Sequence, residues 1–207
     1  MLKRFLCLLF AISLPSAPAA AEPTILILGD SLSAAYGMAR EEGWTALLQQ
    51  RLAAAGYPHR VINASISGDT TQGGLARLPA VLQRHSPMLT VVELGGNDGL
   101  RGILPAETRR NLQTIIERLR ASGSQVILVG VQLPANYGAA FNQRFSTIYQ
   151  ELARSYQLPL TVLSLADAFA QPGLIQSDGL HPTAKAQPLI LEQIWAVLEP
   201  LLGKAGS

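Results

Sequence analysis

The chemistry this chain could perform begins at Ser31. It stands three residues past the apolar run Ile25-Leu26-Ile27-Leu28, with only Gly29-Asp30 between, so a hydroxyl sits where a buried strand runs into a tight turn. A serine hydroxyl is a weak nucleophile until a neighbouring base takes its proton. Gly29 would permit a sharp turn that holds the oxygen outward, although a serine after a strand also serves as a helix N-cap. His181 is the candidate base. Asp178 lies three residues before it, close enough in a turn to hold Nδ1–H and leave Nε2 facing Ser31, and Pro182 fixes the chain just after. The competing reading has Asp178 capping the last helix and His181 decorating its first turn. His59 and His85 have polar neighbours without chemical partners and are expected at the surface.

An acyl transfer also needs donors for an oxyanion. The N–H groups of Ser31 and Gly68 could converge on one, with the Asn97 side-chain amide as a third donor. Gly68 and Gly95-Gly96 could instead simply make turns, and Asn97 could cap the segment after it. Asp30 and Asp69 flank these residues and are expected to bond loop backbone; Asp30 could in addition tune the site electrostatically.

Alternating strands and helices must position these groups. Ile25–Leu28, Arg60–Ala64, Leu89–Leu94, Val126–Val131 and Leu160–Leu163 read as strands, the third apolar enough for burial on both faces. Between and after them, Trp44–Ala55, Thr70–Gln83, a helix opened by Pro105 and stopped at Ser122-Gly123, Phe141–Tyr156 and Pro188–Leu202 read as helices. Leu47, Leu48, Leu52 and Ala55 should share one face of the first helix, and Leu112, Ile115, Ile116 and Leu119 one face of the long one. Such alternation predicts a parallel sheet with helices on both faces, which places ligands at the C-terminal strand ends. The four polar clusters stand in loops of that kind: Gly29-Asp30-Ser31, Ser67-Gly68-Asp69 and Gly95-Gly96-Asn97-Asp98 after strands, Asp178-Gly179-Leu180-His181 before the last helix.

With 207 residues the chain is long enough for one well-cored domain. Residues 1–21 read as a secretory leader: Lys3 and Arg4, the apolar run Phe5–Leu14, then Ala19-Ala20-Ala21. The run is too short to span a bilayer. The formal charge of +2 belongs to that leader, leaving residues 22–207 neutral and without a basic patch for nucleic acid. Cys7, the one cysteine, also lies in the leader, so the remaining domain holds no disulfide and no thiol nucleophile. The histidines lack metal-binding spacing, and no phosphate-binding glycine loop occurs, so neither metal nor cofactor is expected.

Gly29-Asp30-Ser31-Leu32 with Ser33, Gly68, Gly95-Gly96-Asn97-Asp98 and Asp178-Gly179-Leu180-His181 resemble the four sequence blocks of the SGNH (GDSL) hydrolases. The family's serine, glycine, asparagine and histidine fall on Ser31, Gly68, Asn97 and His181, with Asp178 as third triad member. "VINASISGDTTQGGLARLPAVL", "VVELGGNDGLRG" and "LPANYG" resemble the bacterial periplasmic thioesterase, lysophospholipase and arylesterase branch. The resemblance implies a three-layer α/β/α sandwich around a five-stranded parallel sheet of flavodoxin-like order. It implies broad hydrolysis of acyl esters and thioesters, including lysophospholipids and aryl esters, and a monomer whose partner is a small-molecule substrate. It also implies that the segment Leu133-Pro134-Ala135-Asn136-Tyr137-Gly138 flanks the acyl groove, to which the Leu174-Ile175 region could add. A carbohydrate or cell-wall deacetylase on the same chemistry, or a non-catalytic acyl-binding protein, is the alternative. A periplasmic address fits the leader best; an extracellular one is the other possibility.

Overall fold

A computed structural model describes residues 22–133, 137–163 and 171–203. The expected leader therefore lies outside the described residues, as do Pro134, Ala135 and Asn136. Five strands, β1 (Thr24–Gly29), β2 (Arg60–Asn63), β3 (Leu89–Glu93), β4 (Gln125–Val131) and β5 (Leu160–Leu163), form one parallel sheet in the order β2-β1-β3-β4-β5. Ile25 pairs with Val61 on one side and with Leu89 on the other, so β1 is fully enclosed.

Because side chains alternate along a strand, β1 serves two cores at once. Ile25 and Ile27 join one, with Trp44, Leu48 and Leu52 of α1 (Trp44–Ala54) and Ile190, Ile194 and Leu198 of a later helix. Leu28 joins the other, with Leu78 of α2 (Thr71–His85), four apolar residues of α4 (Pro105–Ala121) and Phe145, Ile148 and Leu152 of α5 (Ala139–Tyr156). Those four are Leu112, Ile115, Ile116 and Leu119, the expected stripe, and Pro105 is the expected helix start. Each fully buried Leu or Ile contributes roughly 1.5–3 kcal/mol relative to exposure. The result is the expected α/β/α sandwich of flavodoxin-like order.

Some expectations are revised. Ala55 ends α1 as an exposed cap instead of packing, and Leu47 is only half-buried. The last helix is divided: a 3-10 turn at Ala184–Ala186, α6 (Gln187–Leu198), and a second 3-10 turn at Glu199–Leu201, where Pro200 has no N–H to continue the α ladder. A short α3 (Gly96–Leu100) was not foreseen, since its five residues are too few to show periodicity. No helix among the described residues is long and apolar enough to cross a membrane.

Candidate active site

Ser31 does not open a helix. After β1 the chain coils through a run of turns: the N–H groups of Ser33 and Ala34 both donate to the Asp30 carbonyl, at 3.3 and 2.9 Å, and α1 begins only at Trp44. Nor does Gly29 act through a turn conformation, as the sequence suggested. A Cβ there would lie 2.8 Å from Ser33 Oγ and 2.9 Å from Glu93 Oε2, so glycine is needed for close approach. Glu93 ends β3 opposite Gly29 and is completely buried. Its Oε2 accepts from Ser33 Oγ at 2.8 Å and from the Asp30 N–H at 3.3 Å.

Asp30, 2% exposed, braces the loop from within. Its Oδ1 accepts from the Leu32 N–H at 3.1 Å and its Oδ2 from Asn97 Nδ2 at 2.9 Å. The second bond fixes the Asn97 amide with its nitrogen toward the Ser31 loop. Burial pushes the Asp30 carboxyl up to about 6, opposed by the Leu32 and Asn97 donors. Burial, and then the neighbouring Asp30 charge, push Glu93 well above the ordinary carboxylate range. Two buried carboxyls therefore brace the serine loop, both raised above the ordinary carboxylate range.

Across from this loop, Ser31 Oγ lies 2.9 Å from His181 Nε2, and His181 Nδ1 lies 2.7 Å from Asp178 Oδ2. Asp178 also caps locally: its Oδ1 accepts from the N–H groups of Leu180 and His181 at 2.9 and 3.0 Å. Those two backbone donors, and then the imidazole, hold its carboxyl down at about 2. An ionised Asp178 can only accept, so the proton is on Nδ1 and Nε2 is free to accept from the serine. The Tyr36 ring lies against the imidazole, with centroids 4.4 Å apart.

Gly68 has φ +80°, a conformation that favours glycine, and its carbonyl accepts from Arg101 Nη2 at 2.8 Å. The N–H groups of Ser31 and Gly68 meet no acceptor among the described residues. Gly95 turns β3 into α3 at φ +117°, and a side chain there would strike the Tyr149 hydroxyl.

Other sequence expectations fall differently. Asp69 pairs with the guanidinium of Arg77 at 2.7 Å, not with loop backbone. Asp98 is buried away from the serine, where it accepts from the Thr71 N–H at 2.9 Å and from the hydroxyls of Thr71 and Thr108, tying α2 to α4. His59 is not at the surface: it is 5% exposed, lies edge-on to Tyr57, and is held below its ordinary pKa by burial. Leu133 turns into the core against Gly99, and Tyr137 is half-buried with its hydroxyl donating to the Leu100 carbonyl at 3.0 Å. Leu174 and Ile175 are half-buried, and Ile175 bridges to Pro182 beside the histidine. Glu93 and Tyr36 were missed in the sequence, and Ser33 stood there only as part of the first motif block, without its bond to Glu93. Glu93 carried one signal, a carboxylate closing an otherwise apolar strand; Tyr36 carried none. No group of three or more His, Cys, Asp or Glu suited to a metal occurs among the described residues.

The family model described as GDSL-like Lipase/Acylhydrolase matches residues 27–188. The chain is 50% identical over 183 residues to "Esterase TesA" of Pseudomonas aeruginosa, covering 88% of this chain and 91% of that one. It is 46% identical over 184 residues to "Thioesterase 1/protease 1/lysophospholipase L1" of Escherichia coli K12, covering 89% and 87%. Among solved structures, the psychrotrophic esterase EstA from Pseudoalteromonas sp., inhibited by monoethylphosphonate, superposes with a TM-score of 0.82 at 38% identity, over 87% of this chain and 99% of that one.

Proposed function

The chain belongs to the GDSL-like lipase/acylhydrolase family, and from that premise we propose that it is a serine esterase and thioesterase whose triad is Ser31, His181 and Asp178. The observation that carries this reading is the continuous chain Ser31 Oγ to His181 Nε2, 2.9 Å, and His181 Nδ1 to Asp178, 2.7 Å. As Ser31 Oγ attacks an acyl carbonyl, His181 Nε2 takes its proton, and the imidazolium is balanced by Asp178. Charge developing on the carbonyl oxygen meets the N–H groups of Ser31 and Gly68 and the Asn97 amide, whose second N–H remains after the bond to Asp30. His181 then protonates the departing alcohol or thiol. A water, deprotonated by the same nitrogen, attacks the acyl-Ser31 ester and releases the acid.

The substrate class follows the relatives' names: acyl esters and thioesters, among them lysophospholipids and aryl esters. The acyl chain would run past Leu133, Pro134, Ala135, Asn136 and Tyr137. Hydrolysis of p-nitrophenyl esters from acetate to palmitate, by wild type and Ser31→Ala, tests the reading. Turnover strongest at medium or long chains and lost in the variant is expected. A profile confined to acetate would transfer the enzyme to the deacetylases, and fatty-acid binding without turnover would make it a carrier. Residues 1–21 act, in this reading, as an export leader for a periplasmic, monomeric enzyme; N-terminal sequencing of protein recovered from the periplasm checks both cleavage and address.

A further inference from the structure

A cavity borders the loop that carries Ser31. It occupies about 710 Å³, within the range of small-molecule sites. One wall is Ala34 and Ala35 of the serine loop, and the opposite wall is residues 65–67, which precede Gly68. The walls are tied to the site itself: the Ile66 N–H donates to the Gly29 carbonyl at 3.1 Å, and Asn63 Nδ2 donates to the Ser33 carbonyl at 2.7 Å. The cavity is therefore built by the strand ends that hold the nucleophile.

Its lining mixes apolar and polar residues, and the charge it carries has one sign. Arg40 stands in it with no acidic residue among the lining side chains. The guanidinium takes no hydrogen bond or ion pair among the described residues, and the nearby Glu42 carboxylate is occupied by the Ala39 N–H at 3.1 Å. A guanidinium without an acidic partner suits a phosphate, whose oxygens accept from its N–H groups.

Position assigns the cavity to one half of the substrate. The leaving group must stay within reach of His181 Nε2, which protonates it. His181 lies on Tyr36, the residue after Ala35, and Gln176 Nε2 of the same turn donates to the Tyr36 carbonyl at 2.8 Å. The cavity borders β2, whereas Leu133 follows β4, and the sheet order puts β1 with Ser31 between them. With the acyl chain on the proposed path past Leu133, the leaving group would depart to the opposite side of the serine.

We propose that this cleft is the leaving-group subsite and that Arg40 there binds a phosphate carried by the alcohol or thiol half of the substrate. The inference rests on the hydrolase reading above. Its test compares wild type, Arg40→Gln and Arg40→Glu on four decanoyl substrates: the p-nitrophenyl ester, monodecanoylglycerol, decanoyl glycerol-3-phosphate and decanoyl-CoA. Arg40 is exposed, so both variants should fold. The expected result is a KM raised about tenfold by Gln, and further by Glu, for phosphate-bearing substrates. The two neutral substrates should be unchanged. An effect on decanoyl-CoA alone identifies a nucleotide phosphate as the ligand, and one on the glycerophosphate alone a lipid headgroup; either upholds the subsite. Equal KM changes for charged and neutral substrates, or none, overturn it. If wild type hydrolyses none of the four, the hydrolase reading has failed, and calorimetric binding of CoA decides the cleft by itself: weakened binding in Arg40→Gln upholds a phosphate site, and unchanged or absent binding overturns it.

Discussion

The nucleophile and its base are held in opposite ways. The Ser31 loop is bolted to the sheet from beneath: Glu93 at the end of β3 receives Ser33 and the Asp30 N–H, and Asp30 receives Leu32 and Asn97. Every one of those brackets crosses the core, 60 or more residues apart in sequence, or closes a buried turn. The His181 side is a local structure. Asp178 organises its own turn through Leu180 and His181, its side chain is 38% exposed, and the isolated bridge from Ile175 to Pro182 closes the segment. An attacking oxygen positioned by the core and a base positioned by a surface turn can be disturbed separately, and this separability can be measured.

The largest effect should come from the turn. Asp178→Asn removes the acceptor that fixes the imidazole tautomer, and kcat should fall by roughly 10⁴-fold. The melting temperature should fall only slightly, since the Asp178 side chain is 38% exposed and the amide oxygen can still accept from the N–H groups of Leu180 and His181; a collapse in stability would show that the turn is not independent of the core. Next in size, Asn97→Ala deletes an oxyanion donor and should lower kcat by about 10²–10³-fold with KM little changed. An effect confined to KM would take Asn97 out of the oxyanion site.

Gly29→Ala probes the bolted side. The added Cβ meets Ser33 and Glu93 below 3 Å, and overpacking of that kind costs about 1–3 kcal/mol. Thermal unfolding should shift down by several degrees, with activity falling in parallel as the serine loop is displaced. An unshifted melting curve would mean that the brackets are slack.

The smallest effects are those of pH, and the two sides should respond with opposite sign. Asp30 and Glu93 have folded pKa values raised by burial, Asp30 to about 6. Their contribution is therefore most favourable below the unfolded carboxylate pKa values near 4 and declines as pH rises toward and through the folded values. Asp178 is lowered to about 2, so its contribution is present above about 4 and is lost as pH falls toward 2. Urea midpoints at pH 5 and 8 should show a smaller decline with rising pH in Glu93→Gln than in wild type, because the amide has no proton to lose. Parallel wild-type and variant midpoints would mean that Glu93 is not held protonated.

The sheet and its helices were legible from local pattern. Strands such as Leu160–Leu163 and helix stripes such as Leu112, Ile115, Ile116 and Leu119 are written in runs of two and 3.6, and alternating elements admit few topologies. Boundaries were less so: α3 is too short to have a period, and the split of the last helix follows from Pro200 and end packing.

The site divides along the same line. Residue types and order brought Ser31, Gly68, Asn97, Asp178 and His181 into one hypothesis, because strand-end loops of a parallel sheet converge. Even the Asp178–His181 contact could be foreseen, since three residues of turn are enough to make it. What supports Ser31 could not. Glu93 looks like the polar end of a strand until Gly29 is found opposite it, and Asp98 looks like a site residue until it is found tying α2 to α4. His59 reads as a surface residue until Tyr57 and the core edge enclose it. Local sequence determined which groups could react and on which loops they stand. Only the tertiary structure decided that the Asp30 and Glu93 carboxyls would be buried and raised above the ordinary range, since desolvation depends on what distant segments remove water from each group.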